Sequence, residues 1–139
     1  MKEFVKTQNA PQPLGPYSQG IKAGNMLFVS GQGSIDPKTG KMLGEDVEIQ
    51  TRQTMQNIKA IVEASGFSMS DLVKVSIYLK NASDFQKMNE IYRTFFSQNP
   101  PTRTTVQTGF VNSSMLIEID AVAYRERHSS SVNAHSRGL

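Results

Sequence analysis

Hydrophobic positions along this chain repeat with a strand period in some segments and with a helix period in others. Residues 72–80, "LVKVSIYLK", alternate strictly between apolar and polar side chains, which is typical of a strand with one face on a core. Between Asp46 and Gly66 the spacing is helical, which predicts a helix capped by Asp46 and ended by Gly66 in the left-handed region. The positions that define its buried face are Val47, Thr51, Met55, Ile58 and Val62.

A second helix is predicted further along the chain. Ser83 and Gln86 have the spacing of a capping box, and Pro100 and Pro101 mark where the helical pattern ends. The apolar stripe of this helix consists of Phe85, Met88, Tyr92, Phe95 and Phe96. We therefore expect it to pack on the same core as the first helix.

The remaining apolar runs predict strands at residues 17–22, 25–31, 99–107 and 115–124. The resulting order, β-β-α-β-α-β-β, predicts an α+β domain in which two helices cover one face of a sheet. Leu116, Val122 and Tyr124 are expected on the other face, which is then too apolar for direct contact with water. We therefore expect a partner subunit to cover it.

Length and composition fit one globular unit. The 139 residues, 37% of them hydrophobic, can bury one core, and we expect residues 1–125 to form a single domain. Residues 126–139 are polar and Ser-rich, which is typical of a disordered tail or an added terminal segment. The chain has no long uncharged apolar stretch, so we expect no membrane span. It has no apolar signal region and no cysteine, so we expect a cytosolic protein.

The net charge of +3 does not by itself indicate a nucleic-acid partner. Arg125, Arg127 and Arg137 lie at the C-terminal end beside Glu126, so the rest of the chain is close to neutral. We therefore expect no nucleic-acid partner.

Arg103 lies in a predicted strand, where its side chain shares a face with Thr105 and Gln107. One interpretation is a structural ion pair with Glu118 or Asp120 on the last strand. The other is recognition of a carboxylate or phosphate, because the planar guanidinium can donate two parallel hydrogen bonds to such a group. Strand periodicity alone leaves both open.

Glu118 and Asp120 share one face of the last predicted strand. Such a pair can serve acid–base chemistry if burial or repulsion separates the two pKa values, or it can be an ordinary solvated strand face. Asn89 falls within the apolar stripe of the second helix, where it is either a core amide with satisfied hydrogen bonds or part of a site.

Several kinds of site are excluded. The Gly-rich segments "GPYSQG" (15–20) and "SGQGS" (30–34) match neither phosphate-binding loop pattern. The only histidines, His128 and His135, lie in the predicted tail, and there is no cysteine, which excludes Ser/Cys–His triads and the usual His-bearing metal sites in the domain.

Taken together, the segments between residues 8 and 125 resemble the RidA family, also called the YjgF or L-PSP family. The matching segments include "NAPQPLGPYSQGIKAGNMLFVSGQ", "QTRQTMQNIKAIVEASG", "DLVKVSIYLKNASDFQKMNEIY", "PTRTTVQ" and "IEIDAVAY". The resemblance implies a chorismate-mutase-like α+β fold, assembled as a homotrimer with clefts between subunits. It also implies cofactor-free hydrolysis of 2-imino acids, such as 2-iminobutanoate and 2-iminopropanoate, to 2-oxo acids and ammonia.

Site residues follow from the same resemblance. Arg103 matches the family's carboxylate-binding arginine, and Glu118 matches the glutamate that orients or activates water. The resemblance also implies a substrate-contacting backbone at Thr105 and a cleft lined or supported by Tyr17, Ser30, Gly31 and Asn89. No metal is implied.

The chain departs from the family pattern in places that bear on the substrate. Gly33 and Ser34 replace an apolar residue and a proline that are common in relatives, and residues 109–114 form an unusual loop. Thr105 replaces a frequent cysteine. Two alternative functions remain open. Some family members are described as endoribonucleases or translation inhibitors, and the same cleft could belong to a non-catalytic regulator that binds 2-oxo acids.

Overall fold

The computed structural model describes residues 1–126, and residues 127–139 lie outside the described part of the chain. A six-stranded mixed sheet carries two helices on one face, so the predicted α+β architecture is confirmed. Of the predicted tail, only Glu126 falls within the described residues. No helix within residues 1–126 is long and apolar enough to cross a membrane.

The strands are β1 (Lys2–Val5), β2 (Gly20–Ala23), β3 (Met26–Gln32), β4 (Leu72–Leu79), β5 (Thr102–Gln107) and β6 (Ile117–Tyr124). Their order across the sheet is β1-β2-β3-β6-β4-β5. β4 and β5 are parallel, and the other neighbouring strands are antiparallel. The edge strands are therefore β1 and β5.

Helix α1 (Val47–Ala64) forms as the sequence predicts. Asp46 caps it by accepting a 2.9 Å hydrogen bond from the backbone N–H of Ile49, and Gly66 follows its end with a φ of +82°. Ile58 and Ile61 are fully buried against the sheet.

Helix α2 (Phe85–Tyr92) is shorter than predicted. The predicted capping box at Ser83 is wrong, because Ser83 lies inside a 3₁₀ turn, Ala82–Asp84, and α2 starts without a side-chain cap. A second 3₁₀ turn, Arg93–Phe95, follows α2 and brings Phe95 against the core.

Strand β1 was not predicted. Its sequence, "KEFV", has three exposed residues, and only Val5 is buried. A short edge strand of this kind has too few core-facing positions to give an alternating pattern.

Register defines the two faces of the sheet. Val75 of β4 lies in the core and pairs with Ala121 of β6 and with Arg103 of β5. Directly paired residues point to the same side, so these three side chains face the helices. Glu118 and Asp120 alternate with the buried residues of β6 and point to the uncovered face.

The uncovered face carries an apolar row. Phe4, Ile21, Phe28 and Val122 are successive partners across β1, β2, β3 and β6, and Phe4 and Phe28 are 67% and 47% exposed. Val122 and Tyr124 therefore lie where the sequence predicts them. Leu116 does not: it precedes β6 and packs against the core.

Candidate active site

A cavity of about 420 Å³ opens beside Glu118, within the size range of small-molecule sites. It brings together four of the predicted site residues: Tyr17, Ser30, Gly31 and Glu118. The segment before β2 supplies Tyr17, β3 supplies Ser30 and Gly31, and β6 supplies Glu118. β3 and β6 are hydrogen-bonded neighbours, which places their side chains at one location.

Glycine at position 31 makes room for the Glu118 carboxylate. A Cβ at this position would collide with Glu118 Oε2, so any larger residue would displace the carboxylate or the strand. Partial burial raises the pKa of Glu118, and the negative charge of Asp120 on the same face raises it further. A carboxylate with a raised pKa is a stronger base than an ordinary glutamate, which suits it to accepting a proton and returning it.

Asp120 itself is tied to the neighbouring strand. Tyr78 Oη donates a 3.1 Å hydrogen bond to Asp120 Oδ2, and this bond to the carboxylate raises the pKa of Tyr78. Tyr78 pairs directly with Glu118, so the three groups form one polar cluster on the uncovered face.

The outer wall of the cavity is fixed by the buried amide of Gln19. Gln19 Oε1 accepts from the Thr7 N–H at 2.7 Å, and Nε2 donates to the carbonyls of Thr7 and Pro11 at 3.0 and 2.9 Å. Nearby, Ser30 Oγ donates to the Ser18 carbonyl at 2.6 Å. The segment that holds Tyr17 is thereby attached to β3.

Two buried amides of α1 fix the inner wall. Asn57 Nδ2 donates to the carbonyls of Gly33 and Ile35, each at 2.9 Å. Gln50 Nε2 donates to the Ser114 carbonyl at 2.9 Å, and Gln50 Oε1 accepts from the Leu116 N–H at 2.8 Å. The sequence analysis missed both amides, although their positions on the buried face of α1 were a usable signal.

Arg103 lies in a different place, on edge strand β5 beneath α2. Its guanidinium carbon is 4.9 Å from the centre of the Tyr92 ring and 5.6 Å from that of Phe85, both within cation–π range. It lines a second cavity of about 350 Å³ together with Asn89 and Phe96.

The interpretation of Arg103 as half of a structural ion pair is wrong. Glu118 and Asp120 lie on the opposite face, and within residues 1–126 the only ion pair is Lys22 with Glu3, at 3.3 Å. The guanidinium is therefore available for an external anion.

Polar atoms near Arg103 are buried without hydrogen-bond partners. They are Asn89 Oδ1, Tyr92 Oη and Thr105 Oγ1. Burial raises the pKa of Tyr92 to about 12, so its hydroxyl stays protonated at neutral pH. The Thr105 side chain faces the helices, as its pairing with buried Ile77 shows.

The predicted site residues thus fall into two groups on opposite faces of the sheet. Tyr17, Ser30, Gly31 and Glu118 form one group, and Asn89, Arg103 and Thr105 form the other. β4 lies between β5 and β6, and adjacent strands are about 4.8 Å apart. Within one chain, Arg103 and Glu118 therefore point to opposite sides of the sheet, with β4 between their strands.

Within residues 1–126, no group of three or more His, Asp or Glu side chains is close enough to hold a metal ion. The polar side chains that line the cavity are the Glu118 carboxylate, the hydroxyls of Tyr17 and Ser30, and three amides, those of Gln12, Gln19 and Gln32.

Comparison with known proteins finds relatives that match most of the chain. The sequence profile of the family described as Endoribonuclease L-PSP matches residues 7–125. A RutC family protein of Pyrococcus horikoshii is 53% identical over 126 residues, which cover 91% of this chain and 100% of the relative. The 2-iminobutanoate/2-iminopropanoate deaminase of Salmonella typhimurium is 41% identical over 128 residues, covering 90% of this chain and 99% of the relative.

A solved structure agrees with the sequence relatives. The crystal structure of Escherichia coli TdcF with bound serine superposes with a TM-score of 0.85 at 38% identity, covering 89% of this chain and 99% of that chain. The fold implied by the sequence resemblance is therefore confirmed. Since the profile match spans nearly the whole described chain, this protein belongs to the Endoribonuclease L-PSP family, the family of the RidA and YjgF proteins.

Proposed function

We propose that this chain hydrolyses 2-imino acids, such as 2-iminobutanoate and 2-iminopropanoate, to 2-oxo acids and ammonia. The observation that carries the proposal is a half-buried carboxylate, Glu118, with a raised pKa in a cavity of small-molecule size. The Arg103 guanidinium, which has no acidic partner within residues 1–126, supports it. So does the deaminase named among the relatives.

The site is completed by a second copy of the chain. Arg103 and Glu118 lie on opposite faces within one chain, so a shared ligand requires Arg103 from one copy and Glu118 from another. The exposed apolar row of Phe4, Ile21, Phe28 and Val122 supports burial of the uncovered face between copies. A homotrimer with a cleft at each subunit boundary satisfies both requirements.

The reaction follows from these groups. Arg103 holds the substrate carboxylate through two parallel hydrogen bonds, which places the imine carbon beside a water molecule at Glu118. The substrate reacts as its iminium form: Glu118 takes a proton from this water as the water oxygen bonds to C2, and the C=N electron pair moves to nitrogen to give a neutral amine. Glu118 returns that proton to the amine and the C–N bond breaks to release ammonia. Glu118 then takes the hydroxyl proton as the carbonyl of the 2-oxo acid forms, and passes it to the departing ammonia, which leaves as ammonium.

A coupled assay tests the proposal. Threonine dehydratase generates 2-iminobutanoate, and its decay is followed with wild type, Arg103→Ala and Glu118→Gln. We expect wild type to accelerate decay, and each variant to lose about a hundredfold or more of that activity. Arg52→Ala and Glu63→Gln, which change exposed residues of α1 that line neither cavity, serve as matched controls.

The outcomes separate this proposal from the alternatives. Decay unchanged by wild-type protein would refute the enzymatic proposal. Full function of Glu118→Gln combined with loss in Arg103→Ala would indicate a regulator that only binds 2-oxo acids. Endoribonuclease activity has less support, because residues 1–126 contain no histidine for RNA cleavage. The cytosolic location stays a prediction.

A further inference from the structure

One part of the wall of the Glu118 cavity is made by a glycine and a methionine. Gly33 is buried, Met115 is half-buried, and both line the cavity together with Ile35. A Cβ at position 33 would collide with the terminal methyl group of Met115, Cε. The methionine thioether therefore occupies the space that a side chain at position 33 would take.

The backbone on both sides of this contact is held in place. Asn57 is hydrogen-bonded to the Gly33 carbonyl, and Gln50 is bonded to Ser114 and Leu116, the two neighbours of Met115. Both amides belong to α1 and are at most 1% exposed. The adjustable part of the wall is therefore the Met115 side chain, which has several rotatable bonds and a polarisable sulfur.

The chemistry of the wall indicates which substituent it accepts. Within residues 1–126 of one chain, Met115, Ile35 and Leu14 provide an apolar part of the lining, and Glu118 is its one charged side chain. Because the proposed function uses Arg103 of the second copy to hold the substrate carboxylate, a further anionic substituent would meet the negative charge of Glu118, and a strongly polar one would lose hydrogen bonds to water.

We propose that the Met115 thioether, seated on Gly33, receives the substrate's C3 side chain and sets its maximum length, so that the chain prefers short, unbranched aliphatic 2-imino acids. This inference rests on the proposed function and adds to it the two residues that limit the length of the substrate's side chain. The thioether lines the cavity, so a branched four-carbon side chain, such as that of 2-imino-4-methylpentanoate, must displace it. The Met115 methyl group lies where a Cβ of residue 33 would be, so glycine at this position leaves room for it.

Paired variants at the two positions test the proposal. An L-amino acid oxidase produces 2-iminobutanoate from 2-aminobutyrate and 2-imino-4-methylpentanoate from leucine, and kcat/KM is measured for both. Met115→Ala removes Cγ, Sδ and Cε from the wall, so we expect kcat/KM for the longer substrate, relative to the shorter, to rise by about tenfold or more. Gly33→Ala pushes the thioether into the cavity, so the same ratio should fall by a similar factor.

The double variant and a control make the test specific. In the Met115→Ala background, Gly33→Ala should change the ratio by less than about twofold, because the new Cβ no longer meets a thioether. Met69→Ala removes the same atoms from a half-buried methionine outside the cavity and should leave the ratio unchanged. Unchanged ratios in both single variants, or additive effects in the double variant, would overturn the proposal.

Failure of the proposed function can be recognised separately. If wild type accelerates the hydrolysis of neither imino acid, the proposed hydrolytic function is refuted. The role of Met115 and Gly33 is then tested by calorimetric binding of 2-oxobutanoate and 4-methyl-2-oxopentanoate. The same opposite shifts in the ratio of the two Kd values are expected there. If the ratio of the two Kd values is the same in all variants, the proposed role of Met115 and Gly33 is refuted as well.

Discussion

Glu118 depends on two neighbours that act in different ways. Gly31 gives its carboxylate space, and Asp120 gives it a like charge on the same strand face. Together with partial burial, the like charge raises the pKa of Glu118 above the ordinary value of 4.5. A glutamate in this setting is suited to exchanging a proton with water.

The pH dependence of activity should reveal this coupling. Glu118 must be ionised to accept a proton from water, so kcat/KM should fall as the pH drops through its raised pKa. Asp120→Asn removes the like charge, so the acid limb should move to lower pH while burial keeps it above 4.5. The measurement is the pH profile of kcat/KM for 2-iminobutanoate. It runs from about pH 4, near the ordinary glutamate pKa, to about pH 8.

Asp84→Asn provides the matched control, because Asp84 precedes α2 and does not contribute to the pKa of Glu118. Its profile should coincide with that of wild type. An acid limb that stays in place or moves to higher pH in Asp120→Asn would contradict the electrostatic assignment.

Arg103 illustrates the limit of reasoning from single residues. Alternation on β5 correctly places Arg103 with Thr105 and Gln107, but it cannot say which face of the sheet they share. That information comes from the parallel register with β4, where Arg103 pairs with buried Val75. Long-range register is not visible in the local pattern of one strand.

At the scale of elements, α1 supports the site as well as the core. Its buried face combines aliphatic residues with Gln50, Thr54 and Asn57. The two amides hold the backbone segments that carry Gly33 and Met115, whereas Thr54 Oγ1 is buried without a partner. These polar groups should therefore contribute differently to stability.

A pair of substitutions on α1 tests this difference. Asn57→Leu leaves the buried carbonyl of Gly33 and the partly buried carbonyl of Ile35 without their donor, so we expect a loss of about 2–4 kcal/mol in the free energy of unfolding. Thr54→Val removes an unpaired hydroxyl at nearly constant shape and should leave stability unchanged or slightly higher.

Urea unfolding at fixed protein concentration measures both effects through the midpoint, provided that the m value is unchanged. Equal losses in the two variants would show that the Asn57 hydrogen bonds have no special role.

Elements with strong periodicity could be predicted from the sequence, and weakly patterned ones could not. β4 and α1 bury continuous faces, so alternation and helical spacing identify them. β1 exposes most of its residues, and the start of α2 is set by a 3₁₀ turn rather than by the apparent capping box at Ser83. In both cases tertiary packing outweighs the local sequence signal.

At the scale of the whole molecule, the sheet separates the two halves of the candidate site. The resemblance to RidA proteins supplied the site residues, but the sequence could not show that Arg103 and Glu118 lie on opposite faces. Their separation by β4 and by the thickness of the sheet makes each chain incomplete for one small ligand. The exposed row from Phe4 to Val122 fits the same arrangement, because association would bury it.

Mixing two inactive variants tests most directly whether the site is shared between copies. Arg103→Ala and Glu118→Gln are co-expressed and co-purified through two different affinity tags, and the hydrolysis of 2-iminobutanoate is measured. A cleft is intact when its Arg103 comes from the Glu118→Gln chain and its Glu118 from the Arg103→Ala chain. Purification through both tags leaves only trimers with two copies of one variant and one of the other, and one of their three clefts is intact. The mixed trimer should therefore recover about a third of wild-type activity while each variant alone is inactive. A mixed oligomer as inactive as its parents, or a wild-type chain that sediments as an active monomer, would contradict the shared site.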